Sequence, residues 1–246
     1  MENIYGVNCI KGEVHSLMTI LKWSSRWSFS RQSTNNASIK KNSIVTDFSD
    51  LSESIKDVYD LGSLNCCTYL RPFCAVITSD TANGPLTCAS LNSLSKFALY
   101  GFLSTNFPGA KEGVNMVAHA IASCIFEESD RESDEIILMK LLELATMTFR
   151  SDASGLLTVS AAWSMYETCV SIFGQRKSSK VLRSEAESTL RHLTLTTFGR
   201  MHAILLKNAR GEKGKFLSPV AISAEVKKCY WDSDKEKYRI SDPVGI

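Results

Sequence analysis

An all-α fold is predicted by two features of this sequence: apolar residues recur at steps of three and four after about the first ten positions, and convincing strand alternation is missing. A third observation bounds its size. With 246 residues, 44% hydrophobic and 22% charged, the chain can bury a core in one extended domain or two small ones, and disorder throughout is excluded. No repeat of fixed period is visible, so both an irregular α-solenoid and a compact bundle fit the pattern.

The first helix is expected from about Glu13 to Trp23, where Val14, Leu17, Met18 and Leu21 form one stripe, and it should end in Ser24 to Ser28. Residues 28 to 46 are polar, rich in side chains that compete for backbone hydrogen bonds, and read as a loop. A second helix from about Asp47 to Leu61 puts Phe48, Leu51, Ile55 and Val58 on one face, with Gly62 as a stop. Pro72 is expected to open a short helix, because a proline fits a first turn where its missing N–H has no partner anyway. Asn83-Gly84-Pro85 repeats that device for a helix of about Pro85 to Leu103, turning inward Leu86, Ala89, Leu94, Phe97 and Ala98. Another helix follows from near Lys111 to Phe126.

Ser133-Asp134-Glu135 joins a capping serine to two carboxylates that suit a helix N-terminus. The broad apolar face behind it, from Ile137 to Phe149, calls for neighbours on two sides, as in a stacked array. Thr158 to Phe173, stopped by Gly174, makes a further helix; the last runs from Ser178 or Ser179 towards Lys207, with a bend at Gly199. From 208 to 246 charges alternate without sustained periodicity, which reads as a polar linker leaving a helical domain of residues 1–207.

Composition excludes several function classes. A formal charge of +2, from 28 basic and 26 acidic side chains, gives no field to draw the chain onto nucleic acid. No signal-like start and no stretch near the ~18 apolar residues of a membrane span is present, so a cytoplasmic protein is expected. The eight cysteines lack the spacing of a disulfide scaffold and read as reduced, mostly buried thiols. Cys66, Cys67 and Cys74 come nearest to a cluster; burial as small hydrophobes is the simpler role. The four histidines stand singly, without zinc-ligand spacing. Gly211 to Lys215 lacks the glycine spacing and the Ser/Thr of a phosphate loop. No cofactor, metal site or catalytic residue is expected. Trp23 and Trp27 offer either a binding platform or, more simply, a cap over the core.

The runs Tyr69 to Asp80, Gly84 to Thr87 and Ser95-Lys96-Phe97 resemble the dimerisation and cyclophilin-binding domain of large Arf guanine-nucleotide exchange factors, in the Golgi brefeldin-A-resistance subfamily. Ile4-Tyr5, Gly12-Glu13, Arg26-Trp27-Ser28, Ser133 to Leu142 and Leu182 to Leu190 match in the same order, so the resemblance covers the start to about residue 205. It implies an armadillo-like helical stack that is regulatory and not catalytic. It further implies a homodimer, contact with a neighbouring homology region, Rab or Arf GTPases as partners, and peripheral association with Golgi membranes through the full-length protein.

The family's dimer residues, a lysine in the Lys-Phe motif and a glutamate in the Ser-Asp-Glu motif, fall on Lys96 and Glu135. In a two-fold interface that opposite-charge pair would occur twice and set register. From the residues alone, Lys96 is equally a solvated helix position and Glu135 a partner of the helix dipole. Two other readings remain beside this one: a helical-repeat adaptor unrelated to Arf exchange, and a cysteine-dependent enzyme, which requires a thiol of depressed pKa.

Overall fold

The computed structural model describes residues 2–28, 35–126, 131–175 and 178–209, and these contain helices and no strand. Eight α-helices follow one another among them: α1 (Glu2–Ser28), α2 (Asn35–Ser54), α3 (Cys66–Ile77), α4 (Gly84–Leu99), α5 (Ala110–Ala122), α6 (Arg131–Arg150), α7 (Val159–Phe173) and α8 (Lys180–Ala209). Short 3-10 turns at Leu61–Ser63 and Asp152–Leu156 join them. Helices α3, α5 and α7 lie side by side in one layer, and α4, α6 and α8 in a second. At one end α1 packs on α4, α2 packs on α3, and the two pack on each other. Each helix thus meets its neighbours in the array and little else, which decides for a stack over a compact bundle. Helix α6 lies between α4 and α8, the two-sided covering its broad apolar face requires.

Edge-on aromatic contacts fill the first half of the core. The Phe73 ring meets Phe48 at 5.1 Å and Phe97 at 5.2 Å between centroids, and Tyr69 meets Phe97 at 6.0 Å. Such edge-to-face pairs add to the burial of four large side chains. The Tyr69 hydroxyl, fully enclosed, donates to the Phe102 carbonyl at 2.8 Å. In the second half, Arg200 of α8 donates to the Phe149 carbonyl at 2.7 Å and to Ser154, tying α8 to the end of α6. The Phe149 carbonyl belongs to the last turn of α6, where carbonyls lack intrahelical donors.

Helix starts follow from caps: Asn65 accepts from the Cys67 amide, Asn83 from Leu86, Thr158 from Ala161 and Ser179 from Leu182. Several expected boundaries are corrected. The first helix already runs at Glu2 and continues to Ser28, because Val7 and Ile10 extend the buried stripe of Val14, Leu17 and Leu21 in steps of three and four. Gly6 sits where a Cβ would lie 2.9 Å from the Leu61 side chain, so it marks a close approach and not a break. Of the expected loop 28–46, residues from Asn35 onward are helical, since Ile44 leads into Phe48 and Leu51 on one buried face. That helix ends at Ser54, well before Gly62, and Asp60 then accepts from the Gly62 amide in the 3-10 turn.

Pro72 does not open α3; it lies buried inside it, and the Asn65 cap opens the helix instead. The proline removes the donor that would pair with the Thr68 carbonyl, and Thr68 is an exposed residue. Helix α4 ends at Leu99 and not Leu103, with Gly101 past its end at φ 78°, a conformation suited to glycine. Helix α6 begins by Arg131, so Ser133 stands within the first turn and does not cap it. Trp23 does not cap the core; it is 58% exposed. Helix α8 passes through Gly199 as one helix. Side chains of Arg26 and Trp27, the stretch Gly211 to Lys215 and the tail from 210 lie outside the described residues, as do residues 29–34 of the expected loop.

Candidate functional site

Lys96 stands near the C-terminal end of α4, where a cation complements the helix dipole. Its side chain, 47% exposed, reaches back to α1 and pairs with Glu13 at 2.6 Å. Glu13 is far more enclosed, and its other carboxylate oxygen accepts from the Ser93 hydroxyl at 2.7 Å. Lysine and serine lie three apart on α4, so they share a face and grip one carboxylate together. The hydrogen bond that Lys96 donates to Glu13 raises the Lys96 pKa against the opposing effect of burial. The ammonium is therefore charged, held in place and still open to solvent on one side.

Glu135 occupies the second turn of α6, and its side chain is 18% exposed. It accepts from the Ser179 amide at 2.8 Å and from Arg131 Nε at 3.2 Å, one helical turn back. Ser179 is the residue whose hydroxyl caps α8, so Glu135 receives one of the free N–H groups at that helix start. Hydrogen bonds from Ser179, followed by Arg131, hold the Glu135 carboxyl below the ordinary range although burial pushes the other way. Within one chain the two expected dimer residues are engaged separately, Lys96 by Glu13 and Glu135 by Ser179 and Arg131. Sequence reasoning missed Glu13 and Ser179 as their partners. The Ser179 start signal was visible; which carboxylate would join it depends on how α6 and α8 pack.

The cysteines carry chemistry of the opposite kind from an activated nucleophile. Burial pushes the Cys74 and Cys169 thiols up to about 12 and Cys124 up to about 11. Cys66 is raised as well, chiefly by burial, and donates weakly to the Phe102 carbonyl at 3.9 Å. A thiolate is disfavoured in each of these places, whereas nucleophilic cysteines need it favoured. A groove of about 820 Å³ runs between α5 and α7 over α6, with Ile121, Leu138 and Ile172 on its floor and Ser160, Ser164 and Glu167 along a rim. Its lining adds His119, Asn115 and Cys124 to the hydroxyls and the one carboxylate, and no grouping of three His, Cys, Asp or Glu that could hold a metal occurs among the described residues.

No protein-family model matches the chain. Individual proteins do. It is 31% identical over 198 residues, 80% of its length, to the Golgi-specific brefeldin A-resistance guanine nucleotide exchange factor 1 homolog of Caenorhabditis elegans. Its homologues are Golgi-type Arf exchange factors. ARF guanine-nucleotide exchange factor 2 of Saccharomyces cerevisiae is 27% identical over 69% of the chain, and the ARF guanine-nucleotide exchange factor GNOM of Arabidopsis thaliana 28% over 54%. The chain spans about a tenth of these relatives: 10%, 12% and 9% of their lengths in turn. No helix among the described residues is long and apolar enough to cross a membrane.

Proposed function

We propose that this chain is the dimerisation and cyclophilin-binding domain of a Golgi-type Arf guanine-nucleotide exchange factor, a regulatory module that self-associates and docks other parts of the exchange machinery. The observation that carries this reading is the match to such factors along four-fifths of the chain, a stretch that amounts to a tenth of the worm relative. An all-helical stack suits the role, because it offers extended faces to other proteins. The raised thiols favour a module without a reaction centre over a cysteine-dependent enzyme. Exchange itself is then the work of a separate catalytic region of the full-length protein. The partners proposed with it are a second copy, the neighbouring homology region, and Rab or Arf GTPases, at the periphery of Golgi membranes.

Lys96 and Glu135 are the proposed dimer contacts. Lys96 is suited to a contact between copies because Glu13 and Ser93 fix its position while leaving half of its side chain open. Glu135 is more enclosed, so a lysine from a second copy would add to the Arg131 side of the carboxylate. Exposed ion pairs contribute only ~0–1 kcal/mol each, so both members are changed together in the test. Light scattering of the chain and of the Lys96→Ala, Glu135→Ala double variant should show a dimer mass falling to that of a monomer. An unchanged mass would remove these two residues from the interface.

A further inference from the structure

The groove between α5 and α7 is open because its walls are low. Ser160, Ser164 and Ser171 stand on the α7 wall and Ala118 and Ala122 on the α5 wall, so no long side chain crosses the apolar floor of Ile121, Leu138 and Ile172. Larger side chains stand outside, at the α7 rim. Trp163 is more than half exposed, and its Nε1 donates to Glu167, one turn further on, at 2.6 Å. Tyr166, packed on the core, stacks against the indole at 5.9 Å and fixes its plane. The groove lining contains no lysine or arginine, and among the described residues no cation pairs with Glu167. An exposed indole beside an uncompensated carboxylate is a receptor for one basic side chain, since a guanidinium stacks on the first and pairs with the second.

We propose that this groove docks an amphipathic helix of a partner protein, its apolar face on the floor and an arginine at its edge over Trp163 and Glu167. The occupant is a helix because both walls are helices, whose backbone groups are already paired with one another. An extended segment would find no strand edge to bond with, whereas a helix arrives with its own backbone hydrogen bonds complete. The small side chains of both walls let its axis come close to the floor.

Charge narrows the choice of partner. A nucleic acid or an anionic headgroup would be repelled by Glu167, and a second copy of α7 would bring another carboxylate to the same rim. Val159 and Val170, exposed beyond the rim beside Trp163, give the docked helix further apolar surface on its basic edge. This inference stands independently of any role in Arf exchange.

Fluorescence anisotropy of the full chain tests it with two labelled synthetic peptides, each a leucine-rich amphipathic helix as long as α7. One carries arginine at the edge of its apolar face and the other glutamate at the same position. The arginine peptide should bind roughly tenfold more tightly, the difference expected when a paired cation is exchanged for a repelled anion at a surface site. Glu167→Arg should invert that preference. Ser164→Phe, which fills the groove from the α7 wall, should weaken both peptides severalfold, with helix content by circular dichroism unchanged. If Ser164→Phe fails to fold, Glu167→Arg decides alone, because its position is exposed. Failure of the parent to bind either peptide would overturn the proposal, as would an unaltered preference in Glu167→Arg or full binding by a folded Ser164→Phe. Peptide binding that falls as the protein is concentrated, while its scattering mass doubles, would overturn it too and assign the groove to a second copy.

Discussion

His192 shows how one half-buried side chain sets a pH dependence for the whole fold. It sits on α8 with its Nε2 enclosed and without a hydrogen-bond partner among the described residues. Burial lowers its pKa first, and the charges of Arg150 and Arg200 lower it further. Both effects disfavour the imidazolium, so the folded chain binds that proton less readily than the unfolded chain, whose histidine titrates near ~6.5. The folded pKa is depressed, and the sign follows: this contribution to stability is complete above ~6.5 and is lost as pH falls through the interval below it. Urea unfolding midpoints of the parent and of His192→Leu, taken at pH 7.5 and 5.5, should drop less in the variant. Equal drops would show that His192 is not the group responsible. Nothing in the sequence marked it among the four histidines, because its environment comes from burial and from Arg150 at the end of α6 and Arg200 further along α8.

At the scale of the element, helices were legible wherever start signal and buried stripe coincided. Thr158 to Phe173 is the clearest case, with the Thr158 cap and the Gly174 stop both in place. Ends were misread where a residue type carries two meanings. Pro72 looked like a first turn but lies in the helix interior, and the serines and asparagines after 35 looked like loop although a neighbouring helix pins their continuation. Glycine misled in the same way in α1. At Gly6 a Cβ would press on the end of the Leu61 side chain, whereas a Cβ at Gly12 meets nothing within 4 Å. Gly12 therefore carries only the entropic weakness of glycine in a helix. Gly12→Ala should stabilise the chain by about 0.5–1 kcal/mol, read as a higher urea midpoint, with circular dichroism unchanged. A destabilised variant would mean that the position needs its glycine for a contact outside the single chain.

For the molecule as a whole, period and burial revealed the class of fold, but the choice between stack and bundle lay in which helices pair. No local pattern encodes that α4 and α6 adjoin, or that α6 separates α4 from α8. The candidate site divides along the same line. Lys96 and Glu135 came from motifs, while their holders Glu13 and Ser179 lie 83 and 44 positions away and meet them only through packing. A stack of nearest-neighbour contacts should also open in parts, because losing one interface leaves distant ones intact. Leu193, buried in α8, is at the far end from the Phe73 and Phe97 cluster. Leu193→Ala removes core volume at a cost of roughly 2–5 kcal/mol, more than tenfold in local opening. Amide hydrogen exchange should accordingly speed up by that factor or more in α7 and α8 while α3 and α4 keep the protection of the parent. The second half owes its hold on the first to α4–α6 and α3–α5 packing, which the substitution does not touch. A uniform acceleration across all eight helices would instead mean that the stack unfolds as one cooperative unit.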